Sequence, residues 1–264
     1  MSLLLKALVL FLVGSAAGGL GALAGIGGGI LVVPTLLLYF GLPINQAIGI
    51  SLLAVIATSS ATSSVQVERH VVDIRLGILL ELMTTSGAAA AAFMAPYISK
   101  RTLAALFVCF LCVSAFNLVK RAWDSRNQKL ETEIPPYKIK NWPGGMSASL
   151  FAGMMSGLLG VGGGVIKVPA MYLIMGVPLR VATATSNFTI GVTAAASAYI
   201  YYGRGDIIVG IAAPLIAGVF SGSIIGAKLA PRVRTTYVLW LFITVAAWMA
   251  GQMIYKLATG GIAK

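Results

Sequence analysis

One lysine stands where an apolar run should exclude it. Lys167 is flanked by Val165, Ile166 and Val168, three residues after Gly164 and two before Pro169. An ionisable side chain inside such a run is costly and marks a functional site by default. The residues just before it, Gly162, Gly163 and Gly164, form a triplet that recurs at Gly27, Gly28 and Gly29. Glycine at that density weakens a helix and permits φ > 0, so the chain can reverse there. Each triplet is followed by an apolar stretch, Ile30–Val33 or Val165–Val168, that starts a new helix. The N–H groups and positive dipole end of such a start attract anions. The chemistry expected is an electropositive pocket for a small anion, with backbone donors at Gly28, Gly29, Gly163 and Gly164 and charge from Lys167. The competing readings are a snorkelling lysine whose amine reaches an interface, and glycines that only make room for packing. On the pocket reading, Lys167→Ala sharply reduces anion binding and leaves folding largely intact.

Polar lining comes from two further stretches. Thr183, Thr185, Ser186, Asn187 and Thr189 cluster in one, and Ser51, Thr58, Ser59 and Ser60 lie in the other. Hydroxyl and amide donors suit an oxyanion, so Ser51, Ser186 and Asn187 join the candidate substrate contacts. Asn187 is the most expensive of them to leave facing lipid. Glu81 is the one carboxylate within an apolar segment. It is either a proton-coupling group or a partner of Arg75 or another base near the interface. Asp73 and Asp206, beside Arg75 and Arg204, read as loop ion pairs or helix starts, and His70 as an exposed residue of a charged turn. Cys109 and Cys112 lie three apart in the apolar run Leu103–Val119, so they share a helix face and read as small packing residues. No ligand set for a metal, no cofactor motif, no nucleotide-binding P-loop and no catalytic dyad is present. An enzyme is therefore not expected, and the energy for any transport comes from a gradient.

The elements that position these residues follow from composition. The 264 residues are 58% hydrophobic and only 10% charged, with a mean hydropathy of +0.94. A soluble domain carries about 25% charged residues, so this chain could not cover its surface for water. Stretches of about 20 apolar residues, the length that crosses a bilayer core, recur along it. The net charge of +12 falls mainly between spans and at their ends, where the positive-inside bias puts it. No nucleic-acid partner is inferred from it.

A shift of 135 residues superimposes Gly18–Pro43 on Gly153–Pro178. The glycine triplets coincide, as do Pro34 with Pro169, Ser51 with Ser186, Thr58 with Thr193 and Ala95-Pro96 with Ala230-Pro231. This register is the signature of a duplication. It argues that the apolar N-terminus, which imitates a secretory signal, belongs to the mature chain, because its counterpart lies mid-chain. Each copy holds four apolar segments: Leu3–Phe40, Ile44–Val65, Leu76–Ala95 and Leu103–Val119, then Gly144–Met175, Val181–Tyr202, Ile207–Leu229 and Tyr237–Leu257. The opening segments, 38 and 32 residues long, are too long for one crossing and short for two. The preferred reading is two half-helices meeting at a glycine turn inside the membrane; the alternative is one long tilted helix. A hairpin makes the copies inverted, and a single crossing makes them parallel. The fold expected is an all-α integral membrane protein: a first repeat over 1–119, a polar linker over 120–143 on the cytoplasmic side, and a second repeat over 144–264.

The paired patterns Gly-Ile-Gly-Gly-Gly-Ile-Leu-Val-Val-Pro and Gly-Val-Gly-Gly-Gly-Val-Ile-Lys-Val-Pro resemble the TauE/SafE family of sulfite and organosulfur-anion exporters. So does the run Ala182-Thr183-Ala184-Thr185-Ser186-Asn187, with Tyr202, Gly203 and Asp206. The resemblance covers nearly the whole chain apart from the linker and the C-terminal tail. It implies eight membrane segments in two halves and passage of sulfite or organosulfonate anions. The first copy departs from the pattern, with Gly49-Ile50-Ser51-Leu52 where the second has Ala184-Thr185-Ser186-Asn187, so the lining is asymmetric. The function expected is secondary transport of a small sulfur-containing oxyanion in the inner, or plasma, membrane. A passive small-anion channel is the alternative. The partners are the anion and the lipid bilayer; oligomeric state, a homodimer included, is left open.

Overall fold

The computed structural model describes residues 3–24, 27–68, 71–127, 136–230, 233 and 235–259. Among them no strand occurs. The helices are α1 (Leu3–Ala24), α2 (Gly29–Tyr39), α3 (Ile44–Val67), α4 (Ile74–Met94), α5 (Lys100–Asn127), α6 (Trp142–Leu159), α7 (Gly164–Pro169), α8 (Leu179–Gly203), α9 (Val209–Leu229) and α10 (Thr235–Ala258). A wider π-type turn, Ala170–Ile174, prolongs α7. Six helices among the described residues, α1, α3, α4, α5, α9 and α10, are long and apolar enough to cross a membrane. The helix α8, with 25 residues, is long enough but too polar to join them. Large apolar side chains face outward all round, among them Leu4, Leu8, Leu82, Phe116, Tyr199 and Trp248, as lipid contact requires.

Both opening segments are broken at their glycines. The helix α1 ends at Ala24 and α2 starts at Gly29; α6 ends at Leu159 and α7 starts at Gly164. Gly27, Gly160, Gly162 and Gly163 have φ of +82°, +70°, +84° and +73°, values that residues with a Cβ rarely adopt. The arms are unequal, which differs from the expected half-helices. With 22 and 18 residues, α1 and α6 are about 33 and 27 Å long, near the full depth of a bilayer core. The return arms, Gly29–Tyr39 and Gly164–Ile174, have only 11 residues each, about 16 Å. The difference arises because the glycines lie late in each segment, after a long uninterrupted helical run.

Small residues set the packing. Gly14 and Gly18 of α1 lie on the backbone of Leu215 and Val219 in α9, and Gly218 and Gly222 on that of Phe11 and Ser15. In α6, Gly153 and Gly157 lie on Thr84 and Ala88 of α4. Both seams use glycines four apart, which let helices approach closely in lipid. Residue numbers rise together along each seam, so each pair is parallel. The first arm of each sequence copy therefore packs on the third long helix of the other copy. The helices α3 and α8 form the centre: α3 is the most buried of the six apolar spans. Gly49 meets Tyr201 and Ser59 Oγ donates to Asn187 O at 2.6 Å. The numbers run in opposite senses, so α3 and α8 are antiparallel.

Surface ties fix the ends. Asp73 starts α4 by accepting from the Leu76 N–H at 3.0 Å, the helix-start role, while Asp206 pairs with Arg204 at 3.0 Å, the loop ion pair. Lys256 Nζ donates to Leu38 O at 3.1 Å and so caps the C-terminus of α2. The first eight residues of the polar linker continue α5 to Asn127. His70 lies outside the described residues. Cys109 and Cys112 are free thiols and both exposed.

Where the linker rejoins the helices, Tyr137 Oη donates to Asp73 Oδ2 at 2.7 Å. Burial first, then that hydrogen bond and the Asp73 charge, push the phenol well above its ordinary value of 10.0. Unfolded chain ionises near that value while the folded phenol keeps its proton. The contribution is therefore complete below the ordinary tyrosine pKa and is lost as pH rises toward the folded one. Tyr137→Phe should flatten the alkaline loss of stability, read as thermal midpoints of the detergent-purified protein over an alkaline pH series.

Candidate functional site

The two glycine turns meet at the centre of the molecule. Ser51 Oγ, in the first half of α3, donates to Gly160 O at 2.7 Å and lies 3.2 Å from Gly29 O, so one hydroxyl bridges the two turns. A Cβ on Gly29 would sit 2.6 Å from Gly160 O and 2.8 Å from Val55. The Ile190 side chain, midway along α8, is the neighbour of both Gly27 and Gly162. Ser51→Ala would leave the buried Gly160 carbonyl short of its donor, at about 1–3 kcal/mol. The expected result is a lowered thermal midpoint in detergent, with Ser60→Ala, at an exposed position, as the unchanged control.

Lys167 and Glu81 come together. Lys167 is wholly buried and Glu81 is 7% exposed, and Nζ lies 2.6 Å from Glu81 Oε2. The ammonium also donates to Thr189 Oγ1 at 2.8 Å. Thr189 in turn donates to Ser186 O at 3.2 Å. On the carboxylate side, Thr193 Oγ1 donates to Glu81 Oε1, and Thr85 Oγ1 donates to the same atom at 3.3 Å. Thus α7 supplies the cation, α4 the anion and the Thr85 hydroxyl, and α8 the hydroxyls of Thr189 and Thr193. Gly77, one turn before Glu81, allows the approach: a Cβ there would meet Thr189 and Thr185 methyls at 3.0 and 3.1 Å.

Two of the alternatives for these charges do not fit this arrangement. The amine of Lys167 ends on Glu81 rather than at an interface, so it does not snorkel. Glu81 pairs with Lys167 and not with Arg75, which is exposed. The expectation that Lys167→Ala leaves folding intact is revised as well, because it would strand a buried carboxylate.

The remaining candidates divide. Ser51 is committed to the turns. Ser186 and Asn187, 0% and 2% exposed, carry Ser186 Oγ and Asn187 Nδ2 with no hydrogen-bond partner among the described residues. Ser186 stands one helical turn before Ile190 and so shares the face turned to the glycine turns. Gly28, Gly29, Gly163 and Gly164 are all buried at the helix starts, where Gly28 O and Gly163 O accept from Val32 and Lys167 N–H. The first N–H groups of each start have no partner within their helix. Three residues escaped the sequence reading: Thr85, Thr193 and Ser156, whose buried Oγ is unpaired beside Gly163. Only Thr193 left a signal, as the match of Thr58. The pairing itself did leave one: Lys167 and Glu81 are opposite charges whose aligned positions hold Val32 and Ile216. Neither can be buried without a counter-charge.

Paired broken segments around a buried charge are the features by which a transporter's binding site is recognised. The chain matches the family described as Sulfite exporter TauE/SafE over residues 10–253. It belongs to the TauE/SafE family. A probable membrane transporter protein of Bacillus subtilis, YunE, is 26% identical over 265 residues, covering 94% of this chain and 97% of that one. A probable membrane transporter protein of Methanocaldococcus jannaschii is 28% identical over 171 residues, covering 62% of this chain and 61% of its own. No solved structure matches the chain. Membership of TauE/SafE makes this an integral membrane protein of a transporter family rather than of an enzyme family, with a small anion as the implied substrate.

Proposed function

We propose that the protein is a secondary transporter that carries a small sulfur-containing oxyanion, sulfite or an organosulfonate, across the plasma membrane. The observation that carries the reading is Lys167, wholly buried on a return arm in a chain of the TauE/SafE family. The reading also draws on Ser186 Oγ and Asn187 Nδ2, buried groups with no hydrogen-bond partner among the described residues, and on the helix starts at Gly28, Gly29, Gly163 and Gly164. An oxyanion needs several donors converging on it and a charge to offset its own. The sulfur in the substrate rests on the family's description.

The antiparallel course of α3 and α8 supports reading the two copies as an inverted repeat. Two inverted copies can exchange conformations, opening a central site to either side in turn. The basic linker 120–143 then lies on the cytoplasmic face. The test is uptake of sulfite, sulfoacetate, taurine and thiosulfate into proteoliposomes with an imposed pH gradient. Gradient-driven uptake of one of them is expected. Uptake indifferent to the gradient points to a passive channel, and no uptake of any overturns the substrate class.

A further inference from the structure

We propose that the transported anion and the Glu81 carboxylate compete for Lys167, so that each anion bound brings one proton onto Glu81. This rests on the transport reading above. In the structure Lys167 places two of its three donors, on Glu81 Oε2 at 2.6 Å and Thr189 Oγ1 at 2.8 Å. An anion drawn to the third would set two negative charges against one cation in a buried site. Like charges cannot share such a place, and one of them takes a proton. Sulfonate and thiosulfate groups are far weaker bases than a carboxylate, so with these anions Glu81 takes it.

The surroundings suit that exchange. A proton from the aqueous phase adds to Oε2, the oxygen that Lys167 releases, and forms one O–H bond. Thr193 and Thr85, which donate to Oε1, keep the neutral carboxyl satisfied, because an acid retains its second acceptor oxygen. Freed of Glu81, the ammonium offers two donors to the anion, and Ser186 Oγ and Asn187 Nδ2 are unspent. No other ionisable group faces Glu81 among the described residues. The helix α6, packed along α4, has none in its sequence; α8 brings Thr189 and Thr193, with Arg180 and its tyrosines toward its ends; Arg75 of α4 is exposed. Lys167 and Glu81 are also the two buried charges among the described residues; neither has a charged counterpart in the other copy, and each fits as the other's single-copy partner.

The experiment is calorimetric titration of the purified full-length protein with thiosulfate and sulfoacetate, neither of which changes protonation near neutral pH. Repeating it in buffers of different ionisation enthalpy gives the protons taken up. About one proton per anion is expected, with affinity falling about tenfold per unit rise in pH once Glu81 is ionised. Glu81→Gln, which imitates the protonated acid, should bind with no proton uptake and little pH dependence. Binding by the unmodified protein without proton uptake overturns this inference and leaves the transport reading standing. So does an unchanged one-proton uptake in Glu81→Gln. Failure of both anions to bind the unmodified protein at any pH overturns this inference; the substrate class falls with it only if the uptake series also finds no substrate.

Discussion

Replacing either Lys167 or Glu81 by alanine is expected to lower the unfolding free energy by about 3–5 kcal/mol, and replacing both to restore most of it. The expectation follows from burial rather than from the bond itself. Lys167 is wholly enclosed and Glu81 is 7% exposed, so neither survivor has water to turn to. The pair as a unit is less valuable than its members are costly, since desolvating two ions cancels much of their attraction. Lys167→Met with Glu81→Leu keeps the volume and removes both charges. In that variant Thr189 still donates to Ser186 O, and Thr193 can turn to the carbonyl one turn back, as Thr58 does to Ala54. The double variant should therefore fold while failing to transport. Chemical unfolding in mixed micelles, run on the four members of the cycle, measures the coupling. Equal losses that simply add would show that the two side chains do not depend on each other. The transport assay separates function from folding, since only a folded, inactive double variant places the pair in the substrate path.

Much of the fold was legible because duplication is written in residue identity. Gly27–Gly29 and Gly162–Gly164 occur at one spacing, and their turns require φ values that glycine alone adopts readily. The membrane class followed from composition for the same reason, since it depends on residue type and not on partners. Partnership was the illegible part. That α1 lies along α9, and α6 along α4, depends on which small-residue faces match across the halves. The clue was present as glycines four apart at 14 and 18, at 153 and 157, and at 218 and 222. Spacing marks a close approach without naming the helix approached. The Lys167–Glu81 pair was legible only as two unmatched opposite charges, not as a contact. Comparing the copies aligns each residue with its counterpart, whereas these two residues have no charged counterpart and meet across α4 and α7. Ser51 and Ser186 show the same limit: they align with each other, yet one hydroxyl is spent on the glycine turns and the other is unpaired.

The seam between α4 and α6 gives the sharpest steric expectation. A Cβ on Gly153 would fall on the carbonyl of Thr84, closer than any real contact, and one on Gly157 on the carbonyl of Ala88. Both obstacles are backbone, so no rotamer change relieves them, and α4 would have to move away from α6. That movement would carry Glu81 with it, because Thr84 is the next residue along the helix on the seam side. Gly153→Ala should therefore lower stability and also loosen the ion pair, an effect beyond the usual 1–3 kcal/mol of overpacking. The contrasting substitution is Gly251→Ala in α10, where a Cβ meets nothing within 4 Å. There the better helix former should be neutral or stabilising by up to about 1 kcal/mol. The same chemical change thus acts with opposite signs at two helix interiors, and thermal midpoints in one detergent compare them directly. A tolerated Gly153→Ala would mean that the helices have room to part. The glycines of that seam would then have to be explained by something other than close approach.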